Sequence, residues 1–125
     1  KQGESQTMQL FGFTEPGHIT VDNFELQESV KLGEKVAFSF SLSSDQTRLG
    51  KIRIEYAVDF MKHNGKQARK VFKISESDIS SQNKPVTKTH SFKEISTRKH
   101  YLGAHGLAII INGHELHKKA FMLEA

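Results

Sequence analysis

Apolar and polar residues alternate with a period of two along most of this 125-residue chain. Val36, Phe38, Phe40 and Leu42 interleave with Ala37, Ser39 and Ser41. Ile52, Ile54, Tyr56, Val58 and Phe60 interleave with Arg53, Glu55, Ala57 and Asp59, and Leu107, Ile109 and Ile111 repeat the pattern late in the chain. Successive strand side chains point to opposite faces, so this period marks antiparallel strands with one face on a core and one in water. No segment sustains a helical period. The pattern predicts strands at residues 19–26, 35–42, 51–62, 66–74, 86–94, 107–112 and 118–123, with 8–13 as a further edge strand. The apolar phase slips at Asp22-Asn23, which predicts a break inside the first of them. Asn64-Gly65 and Asn112-Gly113 predict hairpin turns, because both residue types tolerate positive φ. Residues 75–84 are polar and irregular and read as a connection.

Seven or eight short strands with turns every dozen residues predict an all-β fold, a two-sheet antiparallel sandwich of immunoglobulin or fibronectin type. Ile54, Tyr56, Val58, Leu107 and Ile109 are expected at the centre of its core. The length suits one domain over residues 1–125, with 1–18 as a linker or extra edge strand. With no Cys and no Trp, an antibody-like core of disulfide and packed indole is excluded. Tyr101 stands just before a late strand, where a tyrosine corner would turn its hydroxyl against the upstream backbone. The same position would also suit ligand contact.

Charge changes the picture. Residues 1–45 hold three Lys/Arg against seven Asp/Glu, a net of −4, whereas residues 46–105 hold thirteen against five, a net of +8. A basic middle of this size suits a polyanion, since each phosphate contact releases condensed counterions; a solvated, soluble surface is the plainer reading. The basic groups fall in two places. One is the wet face of the central hairpin, with Lys51, Arg53, Lys62, Lys66, Arg69 and Lys70; the other is the connection Arg98-Lys99-His100-Tyr101-Leu102-Gly103-Ala104-His105. A guanidinium forks two hydrogen bonds to one phosphate, a lysine supplies a point charge, and Gly103 and Gly106 leave room for a backbone amide to approach a phosphate. Phe60 and Phe72 sit at core positions, so stacking on single-stranded bases is not favoured and duplex backbone contact fits better.

Catalysis finds no support. No serine sits in a Gly-x-Ser-x-Gly elbow, and no phosphate-binding glycine loop occurs. Glu55 and Asp59 share a predicted wet face at ~13 Å separation, too far for paired carboxylate chemistry. His114 and His117 would point to opposite faces of a strand, and His100 and His105 lack a third ligand, so neither a metal nor another cofactor is expected. Absence of cysteine mildly favours a reducing compartment. No run approaches the ~20 apolar residues of a membrane span, and Lys1–Leu10 lacks a signal-peptide core. A start at Lys1 is read as a cut fragment or processed product.

The stretches KIRIEYAVDFMKHNGK at 51–66, KVFK at 70–73, TRKHYLGAH at 97–105 and LAIIING at 107–113 together resemble the C-terminal immunoglobulin-like domain of bacterial DNA alkylation repair proteins. These are the AlkC-type relatives of AlkD-type DNA glycosylases, and the resemblance runs from about Leu26 to Leu123. It implies an accessory, non-catalytic module that grips double-stranded DNA beside a catalytic superhelix of HEAT-like repeats in the same protein, acting in base excision repair as a monomer in the bacterial cytoplasm. It places Arg98, His100, Tyr101, Gly103 and His105 on the family's motif, with Leu102 departing from an expected proline. With the charge reading, the expected DNA contacts are Arg98, Lys99, His100, Gly103, His105, Lys66, Arg69 and Lys70, and Tyr101 is the expected brace. The alternatives are a fibronectin-like spacer or adhesion module and, disfavoured by the lack of Trp, a carbohydrate-binding sandwich.

Overall fold

The computed structural model describes residues 11–93 and 100–125. A single 3₁₀ turn at Pro16–His18 leads into eight strands: β1 Ile19–Leu26, β2 Ser29–Lys31, β3 Lys35–Ser44, β4 Gly50–Met61, β5 Gln67–Ile79, β6 Asn83–Ser91, β7 Gly103–Ile111 and β8 His114–Glu124. They form two sheets, one in the order β1-β3-β6 and one in the order β2-β8-β7-β4-β5. The all-β sandwich expected from the alternating pattern is the fold observed.

The inner faces are the apolar phases of the sequence. Val36, Phe38, Phe40 and Leu42 from β3 oppose Ile52, Ile54, Tyr56 and Val58 from β4 and Leu107, Ile109 and Ile111 from β7, all at most 4 % exposed. Asn23 takes φ 54°, and the β1–β3 register shifts between Asp22 and Glu25, where the apolar phase slips. Past that break Phe24 is buried, with its ring 6.4 Å from Phe40.

Three features depart from the expected map. Residues 75–79 continue β5 instead of forming a connection, because Gly50–Ile54 pair with Ser75–Ile79 across a bulge at Ile54/Glu55. Backbone pairing to a central strand overrides their polar composition. The sandwich is also not wholly antiparallel: β2 crosses to the larger sheet and pairs parallel with Met122–Glu124 of β8, burying only Val30. The edge strand expected at 8–13 falls partly outside the described residues; within them Phe13 makes one isolated parallel bridge to Lys51.

The two Asn-Gly pairs make different turns. At Asn112-Gly113 both residues have positive φ, 49° and 80°, in a two-residue turn between the paired Ile111 and His114. At Asn64-Gly65 only Gly65 does, at 81°. There the Gly65 amide donates to the Lys62 carbonyl at 3.0 Å, the Lys62 amide donates to the Lys66 carbonyl at 2.8 Å, and the Asn64 Oδ1 accepts from the Lys66 amide at 3.0 Å. This is a type I turn closed by a glycine bulge, which makes a three-residue loop. It carries Lys62 and Lys66 at its two ends.

Candidate nucleic-acid interface

A hairpin centred on Asn64 sets the register of its strands, and so decides which cations are paired. Asp59 stands opposite Arg69. The Arg69 Nε donates to the Asp59 Oδ1 at 2.9 Å and its Nη2 to the Oδ2 at 3.2 Å, and Arg69 also meets Glu115 at 2.8 Å. Lys118 reaches the same Asp59 carboxylate at 2.6 Å, passing over Gly106. A Cβ on Gly106 would come within 2.8 Å of the Lys118 chain, so this glycine makes room for the protein's own ion pair rather than for a phosphate. The hydrogen bond from Arg69, and then that from Lys118, outweigh burial and hold the Asp59 carboxyl below its ordinary range. Asp59, expected on a wet face, is only 6 % exposed. Arg69, expected as a DNA contact, has its guanidinium committed to two carboxylates.

Other cations of the basic middle are engaged as well. Arg48 pairs with Asp78 and Arg53 with Glu76, with Lys73 3.5 Å from the same Glu76. Lys51 donates to the Phe11 carbonyl at 2.9 Å and lies over the Phe13 ring. Lys62, Lys66, Lys70 and Lys93 are exposed and form no ion pair among the described residues. Lys62 and Lys66 flank the β4–β5 turn. Lys70 on β5 stands four residues past Lys66, roughly 13 Å away at ordinary strand rise, and it lines the same hollow as Lys93, two residues beyond the end of β6. Lys70 and Arg69 are therefore not one patch. Their side chains leave opposite faces of β5, Lys70 opposite Val58 and Arg69 opposite Asp59.

The segment entering β7 packs against this hairpin. His105, expected as a DNA contact, is 1 % exposed, with Phe60, Phe92 and Phe121 rings 5.5–6.0 Å away. Its Nδ1 donates to the Gly103 carbonyl at 3.0 Å, and its Nε2 accepts the Met61 amide at 3.3 Å. Both nitrogens are used internally, and burial lowers its pKa. His105 is a brace between β4 and β7, which corrects the expectation. His100 is 7 % exposed and stacks on Phe60 at 5.7 Å, so it too belongs to the packing. Gly103 has φ 124°, and a Cβ there would come within 3.3 Å of the Met61 methyl. Its freedom therefore serves the chain path under Met61. The Gln67 side-chain amide donates to the Ala104 carbonyl at 2.9 Å, tying β5 to the same segment.

The half-buried Tyr101 ring lies 6.0 Å from His63 in the β4–β5 turn, and Leu102 beside it is 48 % exposed. Arg98 and Lys99 lie outside the described residues. What the structure brings together is thus a turn bearing Lys62, His63 and Lys66, the Tyr101-Leu102 step, and Lys70 with Lys93 on one flank.

Sequence reasoning missed Lys93 as a member and missed Asn112 as a staple. The Asn112 side chain is 1 % exposed; its Nδ2 donates to the Thr14 carbonyl at 2.7 Å and its Oδ1 accepts the Arg53 amide at 2.7 Å. The signal for the Arg69 pairing was available, since a turn centred on Asn64 sets Asp59 across from it.

A profile for the family described as "Uncharacterised protein YhaZ, C-terminal Ig-like domain" matches residues 20–125. The uncharacterized protein YhaZ of Bacillus subtilis (strain 168) is 43% identical over 115 residues, which are 90% of this chain and 32% of that protein. The Pseudomonas fluorescens alkylpurine DNA glycosylase AlkC, solved bound to DNA containing an abasic site analog, superposes with a TM-score of 0.87 at 27% identity. That match covers 99% of this chain and 35% of the glycosylase. A Listeria innocua beta-glucosidase shares the fold alone, at TM-score 0.69 and 10% identity over 86% of this chain and 16% of its own. This chain spans about a third of the length of YhaZ and of AlkC.

Proposed function

This chain belongs to the family of YhaZ C-terminal immunoglobulin-like domains, and from that premise we propose that it is an accessory DNA-binding module of a DNA alkylation repair glycosylase. It contacts duplex phosphates and supplies no catalytic group of its own. The catalytic part, a helical-repeat domain of the same protein, lies outside this chain, and the module acts as a monomer in the cytoplasm.

The observation that carries the reading is the division of the cations. Arg48, Arg53, Arg69 and Lys118 are neutralised by carboxylates, whereas Lys62 and Lys66 at the β4–β5 turn, Lys70 and Lys93 at one hollow beside it, and Lys88 on β6 form no ion pair among the described residues. Charges left unneutralised at one end of a rigid hairpin attract phosphate at little conformational cost. The likeness to a glycosylase solved on DNA supports the choice of DNA among polyanions. Arg98 and Lys99 stay in the proposal on sequence grounds, as neighbours of His100.

Fluorescence anisotropy of a labelled duplex, measured against salt concentration, tests it. The chain is expected to bind weakly and without sequence preference. Lys62→Gln with Lys66→Gln should weaken binding and flatten the log–log salt slope by about two units, one for each phosphate no longer neutralised. Arg98→Ala should flatten it by about one. Binding indifferent to ionic strength, or an unaltered slope in the double lysine variant, would refute the phosphate reading and favour the spacer alternative.

A further inference from the structure

β5 and β6 are edges of different sheets and do not pair with each other. Among the described residues no strand spans the seam between them. Phe72, on the inner face of the edge strand β5 opposite Tyr56, is only half-buried. A hollow of about 230 Å³ lies in this seam, lined by Phe60, Phe72, His90, His100, Lys70 and Lys93, with Ser91 alongside. This is below the ~300–1,000 Å³ of drug-sized ligand sites, and so suits one ring system.

Its floor is aromatic and held in place. Tyr56 stacks on Phe72 at 5.2 Å, and His90 meets Phe72 edge-on at 4.7 Å. His90 Nδ1 is fixed at 2.8 Å from the Tyr56 hydroxyl, a phenol that burial keeps protonated. Lys70 and Lys93 line the hollow as well, with the Lys70 Nζ 5.9 Å from the centre of the Phe72 ring, and among the described residues no carboxylate does. Flat π-faces below and cations at the rim complement a planar ring that carries an anionic group.

We propose that the seam between β5 and β6 is a binding site for one unstacked nucleobase, its ring against Phe72 and His90 and its phosphate between Lys70 and Lys93. The choice of a nucleotide over another aromatic anion rests on the DNA-binding reading, since Lys70 and Lys93 are among the lysines that reading assigns to the duplex. The site adds to that reading a preference for DNA in which a base has left the stack. It also reverses the expectation that the aromatic residues are unavailable for stacking: Phe60 is buried as expected, but Phe72 keeps part of its ring at the hollow.

The test is an NMR titration of the whole chain with deoxyadenosine monophosphate, with deoxyadenosine, inorganic phosphate and phosphotyrosine as separate arms. The nucleotide should shift the ring signals of Phe72 and His90 and saturate at lower concentration than the nucleoside, with phosphate alone leaving those rings unmoved. Phe72→Leu, which keeps apolar volume and removes the flat face, should weaken the nucleotide about tenfold and leave duplex affinity unchanged. Lys70→Gln with Lys93→Gln, both on the surface, should abolish the advantage of nucleotide over nucleoside. No ring shift with the nucleotide would overturn the site, as would equal or tighter binding of phosphotyrosine, which would make the occupant a phosphopeptide. Duplex binding without nucleotide binding would remove this site and spare the phosphate reading; nucleotide binding without duplex binding would do the reverse.

Discussion

A proton added to His105 finds both ring nitrogens already used, Nδ1 donating to the Gly103 carbonyl and Nε2 accepting the Met61 amide. Burial lowers the folded-state pKa below the ordinary histidine value of about 6.5, so the unfolded chain takes up this proton more readily. The contribution to stability is therefore complete above about pH 6.5 and is lost as the pH falls below it. Thermal melts between pH 7 and pH 5 should show the melting temperature falling with pH. His105→Gln should lower it at pH 7 and reduce that pH dependence; an equally steep dependence in the variant would contradict the bracing role. Asp59 behaves in the opposite part of the scale. Its pKa is lowered first by the Arg69 hydrogen bond, so its contribution is present above the ordinary Asp value of about 3.9 and is lost as the pH falls through the lower folded value. Both partner cations are partly exposed, 38% for Arg69 and 42% for Lys118, and water screens the network. Asp59→Asn should cost about 1–2 kcal/mol in urea denaturation at pH 7, and no loss would mean the network is ornamental.

The Asn-Gly pairs carry a second prediction, at the scale of elements. Gly65 needs its positive φ but has open space around its Cβ position, so Gly65→Ala should cost only the backbone term, about 1 kcal/mol. Asn112→Ala loses bonds to Thr14 and Arg53 as well, and should cost about 2–3 kcal/mol in the same denaturation experiment. Equal losses would show that Asn112 acts only as a turn residue. The dipeptide announced both hairpins in the sequence, but not which turn each would form, because that depends on strand register and on what the side chain meets across the fold. Period-two alternation made β3, β4 and β7 legible, and the phase slip marked the irregular point of β1. The short β2 was not legible, since one buried valine in three residues has no period. The end of β5 was missed because its polar residues are held by pairing with β4 rather than by burial. His105 was in phase with Leu107 and Ile109, so the alternation itself placed it inside; its charge-bearing ring and motif position argued outside, and packing decided. Arg98 and Lys99 lie outside the described residues.

At the scale of the whole molecule, two sheets share one core and charge is sorted around it. Ile54 and Ile109 are fully buried on neighbouring strands of the larger sheet. Truncating either to Ala should lower stability by roughly 2–5 kcal/mol. The outer face of that sheet carries the Asp59, Arg69, Lys118 and Glu115 network, while Lys62 and Lys66 at the β4–β5 turn form no ion pair among the described residues. Net charge alone could not make this distinction, because paired and unpaired cations count equally in a sequence.

The central claim is that this end of the molecule, and not its outer sheet face, meets DNA. Backbone amide shift mapping with a short unmodified duplex at low salt tests it most directly. The largest shifts are expected at Lys62–Lys66, Tyr101 and Leu102, with smaller ones near Lys70 and Lys93, all reversed as salt is raised. Shifts centred on Arg69, Lys118 and Glu115, or none at any salt concentration, would contradict it.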